Sequence, residues 1–340
     1  MLTLLDLEPL GELLRRHGLD EVAEEPFPND GWSGASLTLL RRGKDDRFVL
    51  KRDSLARDWI ARATADGPLP REAWFAAHGP KLPPPVRAPY LGAARDGDDV
   101  VILMPDLTGT LFDWDAPISV DTMDRVLAGL AELHAYPWLT SGEIEGGPWC
   151  PWPERLTLIC RGSLERPGPA RDAVADRILP GWDAFDRIAP PAVRDLIDCL
   201  GRDPRGLLDA LADQPSTLLH GDLKLANVGI AGDGWVEIVD WQMVMVAPVA
   251  VELGWFLVSN VASLPLPPDK LLESYRSKGG GARFLDGTGV DLAILVGLLL
   301  RGWRKGYDAE AGVTLASGVS ARDDLAWWCE RAIEASGRLA

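Results

Sequence analysis

Leu218-Leu219-His220-Gly221-Asp222-Leu223-Lys224-Leu225-Ala226-Asn227 is the stretch on which the reading of this chain turns, and Ile238-Val239-Asp240-Trp241 follows it closely. An apolar strand runs into His-Gly-Asp, an Asn comes five residues after that Asp, and a second apolar strand delivers another Asp. A carboxylate, an amide and a second carboxylate, each held at a strand end, are what phosphoryl transfer from a magnesium nucleotide needs. One group orients the attacking hydroxyl and two hold the metal. Magnesium prefers oxygen ligands and binds through one or two carboxylates together with the phosphates. The pattern makes Asp222 the general-base candidate, with Asn227 and Asp240 as candidate Mg2+ ligands. His220 is expected to tie this turn together by hydrogen bonds.

Working upstream, Arg47-Phe48-Val49-Leu50-Lys51 reads as a strand that ends in a lysine. In protein kinases a lysine so placed pairs with the nucleotide phosphates and with a helix Glu. Glu72, within Arg71-Glu72-Ala73-Trp74-Phe75, is the expected partner. Arg52 is an adjacent cation, but strand alternation sends the two to opposite faces, so only one can point into a cleft. The segment Asn29-Asp30-Gly31-Trp32-Ser33-Gly34-Ala35-Ser36 is the phosphate-loop candidate. Its glycines let the backbone approach phosphate, and Ser33 and Ser36 add donors beside Gly34. It is not a Walker sequence, and an ordinary turn between strands is the competing reading. Adenine is expected at the connector Met104-Pro105-Asp106-Leu107. Pro105 lacks an amide hydrogen, which leaves the carbonyls and the amides of Met104, Asp106 or Leu107.

The catalytic stretch resembles that of the aminoglycoside phosphotransferase and choline kinase superfamily, small-molecule kinases with a protein-kinase-like fold. The resemblance implies an α+β, bilobal architecture: residues 1–104 as a β-rich nucleotide-binding lobe, residues 105–340 as a helical catalytic and substrate-binding lobe. It also implies ATP or GTP as the phosphate donor, with Mg2+. Lys224, two residues past Asp222, stands where protein kinases carry a lysine that touches the transferred phosphate, and is a further catalytic candidate. The chain departs from a protein kinase at several points. His-Gly-Asp replaces His-Arg-Asp, Asp240-Trp241-Gln242 replaces Asp-Phe-Gly, and only seven residues separate Asp240 from Pro248, too few for a peptide-binding activation segment. Glu252 stands where the family usually has Asp, and is expected to anchor the catalytic loop.

Elsewhere, apolar spacing predicts a helix over residues 4–17 and hairpins around residues 42–46 and 95–99. Several short helices are expected over residues 140–215, and longer ones over 250–260, 269–277, 290–303 and 321–336. With 46% apolar residues and 14 Trp, the chain has ample core material. The net charge of −16 argues against nucleic acid or an anionic membrane as partner. It fits a cationic acceptor, such as an aminoglycoside, amino sugar or quaternary amine. On the last helix Asp323, Asp324, Glu330 and Glu334 are candidate ammonium ligands, and Trp255, Trp327 and Trp328 candidate stacking surfaces. The four cysteines show no metal-ligand spacing. No signal peptide is visible, and the longest apolar run, residues 292–300, is too short to span a bilayer. The expectation is a cytoplasmic monomer or homodimer with a small-molecule acceptor. The alternatives are a nucleotide-binding module without turnover, or a metabolic kinase for choline-like or neutral sugar acceptors.

Overall fold

The computed structural model describes residues 3–339 apart from 29, 30, 45 and 115. Asn29 and Asp30, at the start of the expected phosphate loop, lie outside the described residues. The N-terminal part folds as β1 (Glu8–Pro9), α1 (Leu10–Arg16), β2 (Glu24–Phe27), β3 (Ser36–Arg42), β4 (Asp46–Asp53), α2 (Trp59–Ala63), α3 (Arg71–His78), β5 (Val86–Arg87), β6 (Gly92–Asp96) and β7 (Asp99–Pro105). All of these strands except β5 join one sheet in the order β1-β6-β7-β4-β3-β2.

The sheet is covered on both faces, and the two-residue period of each strand decides which side chain goes where. Leu50, Val101 and Leu103 pack with Leu13 and Leu19 on the α1 side. Val49, Ile102 and Met104 pack with Ala73 of α3 on the other. Each such buried aliphatic stabilises the lobe by about 1.5–3 kcal/mol relative to an exposed one. Lys51 follows Leu50 and so faces α3. Arg52 faces the opposite way, where it meets Asp96 at 2.5 Å.

After Pro105 the chain is mainly helical: α4 (Val120–Ala135), α5 (Trp138–Ser141), α6 (Trp152–Thr157), α7 (Arg161–Leu164), α8 (Pro169–Ile188), α9 (Pro191–Arg202) and α10 (Arg205–Ala212). Four short strands follow, β8 (Ser216–Leu219), β9 (Val228–Ile230), β10 (Val236–Ile238) and β11 (Met245–Pro248), then α11 (Val249–Ser259), α12 (Pro268–Ser277), α13 (Gly281–Phe284), α14 (Gly287–Ala311) and α15 (Ala321–Leu339). β11 pairs with β8, and β10 pairs with both β9 and β5. α14 is the buried axis of this part. α11 crosses it so closely that a Cβ on Gly254 would lie 2.5 Å from the Ala293 carbonyl oxygen. The whole is a bilobal, protein-kinase-like α+β fold.

Several elements differ from the sequence-based expectation. The first helix begins at Leu10 because Pro9 is its N-cap in extended backbone, and Glu8–Pro9 pairs with β6 instead. β2 carries Pro26, which suits only an edge strand, and it is indeed the sheet's last strand. Within residues 140–215, three short helices give way to the 20-residue α8, which accommodates Pro180 in its interior. α14 is longer than its apolar run and changes direction at Arg301, whose φ of −140° is not helical.

Candidate active site

The His-Gly-Asp turn leaves β8 beside β11, with Leu219 opposite Met245. Gly221 has a φ of +82°, and a Cβ there would run into the Met243 carbonyl, so the turn admits only glycine. His220 accepts the Asp222 amide on Nδ1 at 3.2 Å and meets the Val239 carbonyl through Nε2 at 2.9 Å. One imidazole thus joins the turn to the strand end that carries Asp240. The Gly221 amide donates to Glu252 Oε2 at 2.7 Å, and Glu252 Oε1 meets His134 Nε2 at 2.9 Å. Burial alone would raise the Glu252 carboxyl, but the hydrogen bond and charge of His134, the charge of His220 and the Gly221 amide together outweigh it and hold it below its usual range. The longer side chain, where the family usually has Asp, reaches both partners from α11.

Asp222 is buried. Lys224 Nζ donates to its Oδ2 at 2.8 Å, while Oδ1 is shut off from solvent and has no partner. Asn227 Nδ2 donates to the Asp222 carbonyl at 3.1 Å, which leaves its own amide oxygen for another ligand. Asn260, which sequence reasoning missed, accepts the Leu225 amide at 2.7 Å and braces the loop between them.

Asp240 has a left-handed backbone, φ 67° and ψ 51°, a conformation that Asp, Asn and Gly tolerate best. Lys51 Nζ lies 2.5 Å from Asp240 Oδ1 and 2.6 Å from Glu72 Oε2. Burial disfavours the charge on Lys51, but Asp240 and Glu72 overcome this and push its pKa up. Burial likewise opposes ionisation of Asp240, and Lys51 outweighs it, holding the carboxyl at about 2. Tyr90 closes the group. Its hydroxyl donates to Glu72 Oε1 at 2.8 Å and accepts the Asp240 amide at 2.9 Å. Nothing local in the sequence marks this tyrosine, which follows a run of prolines.

Ser33 and Gly34 precede β3, in which Leu37 stands opposite Lys51. The loop folds back onto α2. The Trp32 carbonyl accepts Trp59 Nε1 at 2.8 Å, and a Cβ on Gly34 would lie 3.1 Å from the Arg57 carbonyl oxygen. The connector differs from expectation. The Asp106 amide donates to the Arg47 carbonyl at 2.9 Å, and its carboxylate meets Arg47 at 2.7 Å, so this amide is not free for adenine. Met104, opposite Val49, lies within the β4–β7 pairing. Its side chain joins Val49 and Val239 in an apolar cluster to which both lobes contribute.

The late-helix carboxylates are mostly engaged. Asp324 pairs with Lys305 at 2.6 Å and Glu334 with Arg331 at 2.5 Å, and Asp323 accepts the Ser320 hydroxyl at 2.7 Å. Trp328 is fully buried. Trp255 does reach the site, but cations cover it: Arg155 lies 4.1 Å, Arg301 5.2 Å and Lys224 5.8 Å from its ring centroid. Among the described residues no group of three or more His, Cys, Asp or Glu could hold a metal. Asn227 and Asp240 are instead an amide oxygen and a carboxylate, a donor set that suits magnesium, which keeps water and phosphate as its other ligands. No helix among the described residues is long and apolar enough to cross a membrane.

The fold and the family model together define a phosphotransferase. A model of the phosphotransferase enzyme family matches residues 27–285, and the chain belongs to that family. Among solved structures, the spectinomycin phosphotransferase APH(9)-Ia, in complex with ADP and spectinomycin, is similar over 96% of this chain and 97% of its own. The identity is 14% and the TM-score 0.50. The choline kinase LicA from Streptococcus pneumoniae is similar over 97% of this chain and 98% of its own, at 13% identity and a TM-score of 0.49. No curated protein matches the chain.

Proposed function

We propose that this chain transfers the γ-phosphate of ATP to a hydroxyl of a small molecule. The observation that carries the reading is the meeting of Lys51, Glu72 and Asp240 from three separate segments, beside Asp222, whose Oδ1 has no partner. Residues 1–104 serve as the nucleotide lobe, with adenine against Val49, Met104 and Val239. Lys51, fixed by Glu72 and Tyr90, meets the phosphates. The Ser33–Gly34 backbone covers them. Asn227 and Asp240 hold magnesium, which neutralises phosphate charge when bound. Asp222 orients the acceptor hydroxyl and takes its proton as the oxygen bonds to the γ-phosphorus. The bond to the bridging oxygen breaks, and ADP leaves. Lys224 bridges Asp222 and the transferred group. Catalysis of this kind is positioning and charge neutralisation. The ADP and spectinomycin in the similar solved structure support the choice of a nucleotide and a small acceptor. We place the protein in the cytoplasm, where Mg-ATP is supplied.

The test is Mg-ATP-dependent transfer across a panel of hydroxyl compounds, with Asp222→Asn as control. Transfer that vanishes in the variant and on chelation of magnesium supports the reading. Failure to bind Mg-ATP would overturn it. Tight Mg-ATP binding with no turnover on any acceptor would favour a nucleotide-binding module without chemistry.

A further inference from the structure

Around Trp255, α6, α11 and α14 bring together a set of donors with nothing to donate to. Arg155 is 1% exposed, and its Nε and Nη2 have no partner. The same holds for Arg301 Nε, Trp255 Nε1 and Trp303 Nε1. These groups touch one another: Arg155 lies over Trp255 at 4.1 Å, and Arg301 lies over Trp255 at 5.2 Å and Trp303 at 5.1 Å. All five atoms are N–H groups that can only donate. Among the described residues no carboxylate pairs with Arg155 or Arg301, since Asp308 is held by Arg304 at 2.9 Å. Stacking on an indole face offsets part of the cost of a buried guanidinium, but it satisfies none of the N–H groups. A buried cation without a partner is costly. Burial, with Arg304 beside it, pushes Arg301 down to about 10.

The placement of this cluster is informative. Lys224 ties it to the turn: its Nζ donates to Asp222 Oδ2 at 2.8 Å and lies 5.8 Å from the Trp255 ring centroid. The cluster therefore sits beside Asp222. The break in α14 falls at Arg301 itself, and such breaks mark sites where a helix departs from regularity for a reason.

We propose that the acceptor carries an anionic group, a carboxylate or a phosphate ester, which Arg155 and Arg301 bind beside Asp222 and against Trp255. The inference rests on the reading of Asp222 as the residue that orients the acceptor. It reverses the charge expected from the chain's net −16. Most of that charge is distant and is screened beyond about 8 Å at physiological salt. Two guanidiniums at the site decide instead, and their planar forks match carboxylate and phosphate alike.

The test fills the nucleotide site with Mg-AMP-PNP and then titrates malonate, inorganic phosphate and, as a cationic control, tetramethylammonium, by calorimetry. Malonate or phosphate should bind at one site per chain, and tetramethylammonium should not. Arg155→Met should weaken the anion about 10-fold or more. Arg301→Met, at a less buried position, should do the same, and the Tm of each variant reports that it folds. Transfer is then measured on one carbon skeleton: glucuronate, glucose 6-phosphate, glucose and glucosamine. An acidic member should lead in kcat/KM by about 10-fold, and which one leads separates carboxylate from phosphate. Anion binding that is absent, or unchanged in both variants, overturns the proposal, as does a preference for glucosamine. Failure of AMP-PNP itself to bind would instead strike the kinase reading, and the anion titration can then be run without nucleotide.

Discussion

Two charged clusters flank Asp222, and they are built on opposite plans. On the nucleotide side, Lys51, Glu72, Asp240 and Tyr90 satisfy one another within 2.9 Å. In the other cluster, Arg155, Arg301, Trp255 and Trp303 crowd together with five nitrogen donors unmet, while Arg301 Nη1 reaches the Ser259 hydroxyl at 3.4 Å. The first cluster is complete as a piece of protein and helps to hold the lobes together. The second is incomplete as protein, which is the signature of a surface shaped for something else. A self-satisfied cluster contributes stability, while an unsatisfied one is retained against stability.

The sharpest way to break this contrast lies between the clusters. Asp222→Asn keeps the shape and removes the proposed base, and turnover should fall about 10²–10⁴-fold with Mg-nucleotide affinity retained. Turnover near wild type would remove Asp222 from the chemistry. Next come the clusters themselves, compared by denaturant unfolding. Lys51→Met leaves two carboxylates facing each other and should cost about 3–5 kcal/mol. Arg155→Met removes a charge that had no partner and should be neutral or stabilising by about 1–4 kcal/mol. Equal losses in both variants would erase the distinction. Glu252→Gln tests the support beneath the turn that carries Asp222. The Gly221 amide keeps an acceptor but His134 loses a charged one, so a loss of about 1–3 kcal/mol is expected. A Tm equal to wild type would show the loop to be held otherwise.

The smallest effect concerns a carboxyl pair next to the nucleotide cluster. Burial, with Asp58 close by, pushes Asp53 up to about 7. An unfolded chain loses that proton near pH 4, so between about pH 4 and 7 the folded state binds more protons than the unfolded one, and stability falls as pH rises. One proton limits the slope to about 1.4 kcal/mol per pH unit. Asp53→Asn should flatten the stability profile in that window, and an unchanged slope would exclude Asp53 as its source.

The difference between the clusters also explains what the sequence revealed. Lys51, Glu72, Asp222, Asn227 and Asp240 lie at strand ends, at a turn and on a helix opening, where local spacing and strand alternation dictate direction. Their positions were legible for that reason, as were the two lobes. Tyr90 and Asn260 were not, because each acts by reaching a backbone amide far along the chain. The Asp106 amide was misjudged because the β4–β7 ladder runs one pair further than its apolar residues suggest. Arg155, Arg301 and Trp303 were invisible as a group. They come from α6 and α14, and only the packing of α14 against its neighbours makes them meet. A net charge summed over the chain pointed to a cationic acceptor, opposite to the anionic one proposed above, since a sum contains no positions.

Asp240 sits in left-handed backbone, where few side chains are tolerated. Geometry and chemistry there demand nearly the same residue, but not quite: asparagine meets the geometric demand and fails the chemical one. In evolutionary terms, if Asp240 holds magnesium as proposed, the shortest route from this chain to a silent twin is the exchange of one carboxylate oxygen for an amide nitrogen at residue 240, which keeps the backbone geometry but weakens the pair with Lys51.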